Sequence, residues 1–178
     1  MYLVSIYFDE KTNEQIKRLI QKTAVACGNT FMPDGNVPPH ITISAFETKK
    51  EKEVIERLKT VAGQLSQEKL QWVSVGAFLP HVLYITPVLN EYLHRMAVDV
   101  FETLNELEDT LIRKCYQPFG WLPHTTIGKT LTKEQLQTAF AVLQEQFAVF
   151  EGTVMQIGLA KTNPYTELAL FELKEMRE

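Results

Sequence analysis

Two cysteines, Cys27 and Cys115, are all that the 178 residues contain, and no CxxC pair occurs. That excludes a disulfide framework and a four-cysteine zinc site, and it sets the expectation of a reducing, cytoplasmic environment. Long apolar runs are missing as well. The opening stretch Tyr2–Phe8 ends at the acidic pair Asp9 and Glu10 and has no basic start, so neither an export signal nor a membrane-crossing segment is expected. Excess basic charge is also absent, because 18 Lys and Arg stand against 22 Asp and Glu. Domains that coat nucleic acid by bulk electrostatics are usually basic, so a long duplex is not an expected partner. A small basic pocket for a nucleotide or an RNA end is compatible with this balance.

What is present is an ordinary globular composition, 45% hydrophobic and 22% charged, over a length that suits one compact domain. A monomer is the simplest expectation. Residues 2 to 8 read as a buried strand. Thr12 with Gln15 is a capping-box pattern, followed by Ile16, Leu19, Ile20, Ala24 and Cys27 at helical spacing and by Gly28 as a stop. Asn29 to Pro39 is loop chemistry, and His40 to Phe46 is a strand candidate. Thr48 with Glu51 opens a second helix, and Leu70 to Phe78 reads as a strand. The pattern then restarts: strand 82 to 86, helix over 89 to 104, an aromatic-rich loop, strand 124 to 129, and a helix opened by Thr132 and Gln135. Two strands near 150 to 161 and 167 to 174 close the chain.

The restart is an internal repeat. Pro39-His40-Ile41-Thr42-Ile43 recurs as Pro123-His124-Thr125-Thr126-Ile127, 84 residues on. Each histidine is followed eight positions later by a threonine at a predicted helix start. Each phrase is also preceded by an aromatic-x-Pro step, Phe31-Met32-Pro33 and Tyr116-Gln117-Pro118. The spacing predicts a single bilobal domain with pseudo-repeats of about 1–79 and 80–178.

Side chains alternate along a strand, so His40, Thr42 and Ser44 are expected on one face, and His124, Thr126 and Gly128 on the other lobe's equivalent. If both faces line one cleft, two imidazoles that titrate near neutrality supply a base and an acid together. Two hydroxyls beside them suit phosphate oxygens. Such a set fits displacement at phosphorus and calls for no metal or other cofactor. Metal ligation by the histidines is the rival use, but no carboxylate or cysteine stands at a diagnostic spacing. His81 and His94 are read as structural.

The phrases His40-Ile-Thr42-Ile and His124-Thr-Thr126-Ile, one in each half of the chain, resemble those of the 2H phosphoesterase superfamily. That group includes RNA 2′,3′-cyclic phosphodiesterases and 2′-5′ RNA ligase-like proteins. The resemblance implies an α/β (α+β) bilobal fold with pseudo-twofold symmetry. Each lobe would be a mainly antiparallel sheet with two helices on its outer side, and the site would lie between the lobes. It further implies metal-independent cleavage or formation of cyclic or 2′-5′ phosphodiester links, with His40 and His124 catalytic and Thr42 and Thr126 on the phosphate. By the same analogy His40 is the acid and His124 the base, an order the near-symmetric phrases themselves leave open. Many bacterial RNA-processing members carry arginine soon after the second motif. Here Lys129 follows Gly128, a point charge without a bidentate fork.

Phe31, Tyr116, Phe119 and Trp121 lie in the loops before the phrases, where aromatic faces suit a nucleobase or anchor the loop. Lys129 and Lys161 are candidate phosphate attractors, with Tyr7 and Tyr165 as lesser pocket candidates. The expected partner is therefore a nucleotide or RNA end, without a membrane. A non-catalytic nucleotide-binding module of the same fold is the alternative.

Overall fold

The computed structural model describes residues 1–176. In chain order the elements are β1 (Tyr2–Phe8), α1 (Glu10–Cys27), α2 (Phe31–Gly35), β2 (Ile41–Glu47), α3 (Glu51–Ala62), β3 (Glu68–Phe78) and β4 (Val82–Pro87). Then follow α4 (Glu91–Asn105), β5 (Leu111–Ile112), a 3-10 turn at Lys114–Tyr116, β6 (Thr125–Gly128), α5 (Lys133–Gln146), β7 (Phe150–Lys161) and β8 (Thr166–Glu172).

All the ladders between named strands are antiparallel, in the order β5-β2-β1-β7-β3-β4-β6, with β8 also on β7. The long strand β7 joins the two ends of the sheet. Its first residues pair with β3, and its later residues lie between β1 and β8. The helices pack in two pairs, α1 with α5 and α3 with α4, and each pair draws one helix from either half of the chain. Their apolar stripes, such as Ile16, Leu19 and Ile20 of α1, meet the inward side chains Val4, Ile6, Ile41, Leu83, Ile127 and Val154, all buried. Among the described residues the opposite face of the sheet carries no long helix, and both histidine phrases open onto it.

Helix starts show where local pattern and tertiary context part. Thr132 and Gln135 form the expected capping box at α5. At α1 the cap is Asp9 instead, which accepts the Thr12 N–H at 2.9 Å and the Thr12 hydroxyl at 2.7 Å. Asp9 is favoured because its other partner comes from far away: the Thr153 N–H of β7, at 2.7 Å. At α3 no side chain caps the helix, and Thr48 accepts from the Lys50 N–H in the turn before it. The segment expected to be loop throughout contains α2, closed by Asn36 in the left-handed region.

Candidate functional site

The Pro38-Pro39 pair holds the chain extended into His40, immediately before β2. There the His40 Nδ1–H donates to the Pro38 carbonyl at 2.8 Å. His124 repeats the arrangement immediately before β6, its Nδ1–H donating to the Leu122 carbonyl at 2.9 Å. A carbonyl only accepts, so in both rings the proton of the neutral tautomer sits on Nδ1 and Nε2 is left for chemistry. Both rings are half-buried, and burial pushes both imidazoles below their ordinary value, with the carbonyl contacts pulling back. His40 is lowered further by the charges of His124 and Lys129. The fold thus brings His124 and Lys129 within electrostatic reach of His40.

The alternation expected along β2 stops at Thr42. Thr42 lies opposite Ser5 of β1, but Ser44 lies opposite Val4, so Ile43 is an extra residue in the ladder. Cross-strand partners share a face, and this bulge turns Ser44 toward the helices, away from His40 and Thr42. Its buried hydroxyl has no hydrogen-bond partner. The same device occurs in β6. Thr126 lies opposite Tyr84 and Gly128 opposite Leu83, leaving Ile127 as the extra residue. Each phrase therefore presents one histidine and one threonine to the helix-free face and then turns inward. Thr125, on the helix side, accepts from the Trp72 indole N–H at 3.3 Å.

The loop candidates divide. The Trp121 side chain is buried, and its indole N–H donates to the Thr42 carbonyl at 3.0 Å, which makes it an anchor between the two phrases. Tyr116 is half-buried beside the Thr42 hydroxyl, its phenol pushed up by burial. Phe31, on α2, has the Lys129 ammonium 5.8 Å from its ring centroid. Phe119 is exposed and lies against His94, with ring centroids 5.0 Å apart. Lys161 is engaged elsewhere, paired with Glu51 at 2.6 Å over the Tyr2 ring. Tyr7 stands 6.2 Å from the His40 ring, and its hydroxyl shares a 3.1 Å hydrogen bond with that of Tyr165. His81 binds the Leu131 carbonyl through Nδ1, a structural tie.

Two neighbours of His124 have no signature in the sequence. Phe78 meets its ring edge-on at 4.8 Å, and Tyr84 lies 5.4 Å away. Hairpin geometry sets both contacts. The Tyr84 ring lies over Gly76 of β3, where an added Cβ would stand 2.5 Å from it. A cavity of about 570 Å³ between Leu65, Tyr92 and Arg95 contains neither His40 nor His124. Among the described residues no group of three His, Cys, Asp or Glu is placed to hold a metal ion. No described helix is long and apolar enough to cross a membrane.

The helix-backed antiparallel sheet is the fold that the resemblance to the 2H phosphoesterases implies. The chain belongs to the 2′-5′ RNA ligase superfamily, whose model matches residues 9–165. Its function is of the phosphoesterase, 2′-5′ RNA ligase-like kind. A protein of Geobacillus sp. (strain WCH70) named "Putative phosphoesterase" is 28% identical over 128 residues, 69% of either chain. Among solved structures, TT0787 of Thermus thermophilus is similar with a TM-score of 0.60 and 18% identity, over 99% of this chain and 100% of that one. LigT of E. coli complexed with 3′-AMP is similar with a TM-score of 0.57 and 18% identity, over 97% of both chains. At these identities the structural likeness speaks for the fold.

Proposed function

We propose that this protein is a metal-independent phosphodiesterase that opens 2′,3′-cyclic phosphates, or cleaves 2′-5′ links, of nucleotides or RNA ends. The observation that carries the reading is the matched pair of Nδ1–carbonyl bonds at His40 and His124, which leaves two Nε2 atoms of defined protonation for acid–base work. Thr42 and Thr126, the hydroxyl partners on the same face, hold the non-bridging oxygens of the phosphate. Water attacks phosphorus and gives a proton to one Nε2, while the other Nε2 gives a proton to the departing ribose oxygen. The charge of Lys129 opposes protonation of His40 and is not among the influences on His124, which favours His40 as the base and His124 as the acid. This order is the reverse of the one that family resemblance suggests.

The test is hydrolysis of the four nucleoside 2′,3′-cyclic phosphates in EDTA by the wild type, His40→Ala and His124→Ala. Turnover that survives the chelator and falls by about a hundredfold or more in both folded variants is expected, the lower range for a general acid or base. Near-normal turnover in either variant, or a requirement for added metal, overturns the assignment. Nucleotide binding without turnover points to the non-catalytic module.

A further inference from the structure

Trp121 is buried, Tyr7 is buried beside His40, and Phe31, 48% exposed, carries the Lys129 ammonium over its ring. Phe78 differs. It closes β3 on the helix-free face and is 40% exposed, with its ring 4.8 Å from that of His124 at an 83° interplanar angle. Tyr84, 4.4 Å away and inclined by 33°, covers one side of the Phe78 ring. Exposed Leu79 and Leu122 extend the apolar surface at the His124 end. At the His40 end the nearest ring is that of Tyr7, whose hydroxyl is held by Tyr165.

We propose that Phe78 is the platform on which the substrate's nucleobase stacks, placing the nucleoside on the His124 side of the site and the attacking water on the His40 side. The inference rests on the cyclic-phosphate reading above. A displacement at phosphorus puts the entering and leaving oxygens on opposite sides. With the nucleoside on Phe78, the ribose oxygen leaves beside His124. The water oxygen bonds to phosphorus as the phosphorus–ribose oxygen bond breaks. His40 Nε2 takes a proton from the water, and His124 Nε2 gives one to the ribose oxygen, so one water is consumed. Every base has a π-face, so the platform accepts all four bases.

The experiment compares a nucleoside 2′,3′-cyclic phosphate with methyl riboside 2′,3′-cyclic phosphate, which has no base. Phe78→Ala should raise KM for the nucleoside substrate about tenfold, with kcat held within about threefold, as loss of one base–aromatic stack requires. The methyl riboside should keep its kcat/KM, and Phe78→Tyr should restore the nucleoside KM. Equal losses on both substrates, which a purely structural role through His124 would give, or no loss on either, overturn the proposal. If the wild type hydrolyses neither substrate, the cyclic-phosphate reading fails, and calorimetry with a nucleoside 3′-monophosphate and with inorganic phosphate decides about Phe78. Weaker nucleotide binding by Phe78→Ala with phosphate binding unchanged supports the platform. Equal nucleotide affinity in both proteins, or none in the wild type, overturns it.

Discussion

Trp121 donates its indole N–H to the backbone carbonyl of Thr42, so the loop before the second histidine phrase is bonded to the strand that carries the first. This bond ties the loop before one phrase to the strand of the other, so it sets how the two phrases sit against each other. Trp121→Phe keeps an apolar ring but leaves the Thr42 carbonyl without that donor. A buried polar group left unpaired costs about 1–3 kcal/mol, and urea unfolding should show a loss of that size. The rate should fall through kcat more than through KM, because the groups are displaced rather than removed. Unchanged stability and rate would show that the bond positions nothing.

A reaction that needs one neutral and one protonated imidazole has a bell-shaped rate profile whose limbs belong to the pair. Burial lowers both imidazoles, so the bell should lie on the acidic side of the ordinary histidine value. Lys129 lowers His40 and is absent among the causes that act on His124. Lys129→Gln should therefore move the acid limb toward neutrality and leave the alkaline limb in place. KM for a phosphodiester should rise about two- to fivefold, in keeping with an exposed charge. A profile that shifts as a whole, or stays fixed, would count against His40 as the base.

Much of this architecture is legible in local pattern, and the remainder depends on pairing. The apolar stripe of α1, the cap at Thr132 and both ends of β7 follow from spacing that each segment carries within itself. The repeated His-x-Thr phrase is legible for the same reason. The bulges at Ile43 and Ile127 are not, because an extra residue exists only relative to the partner strand. Strict alternation accordingly puts Ser44 on the wrong face. Phe78 and Tyr84 reach His124 through a hairpin that aligns Gly76 with Tyr84, a register that neither segment encodes alone. Trp121 looks like a free aromatic in the sequence, and only the carbonyl of Thr42, 79 positions away, makes it an anchor.

Asp9 shows how one side chain joins three elements and makes stability depend on acid. Its carboxylate ends β1, caps α1 through Thr12 and receives the Thr153 N–H of β7. Burial alone would raise its pKa, but the hydrogen bonds from Thr12 and Thr153 outweigh it and hold the carboxyl below its ordinary value. A carboxyl lowered on folding contributes stability above its unfolded pKa, near 4, and loses that contribution as pH falls through the folded value. Asp9→Ala should thus destabilise the protein by about 1–2 kcal/mol at neutral pH, the usual cost of a lost cap. Below about pH 4 the gap to the wild type should narrow, because the wild-type carboxyl is itself being neutralised. Urea unfolding of the two proteins across the acid range measures the gap directly. A gap that stays constant to pH 2 would mean that the residue acts through packing rather than through its charge.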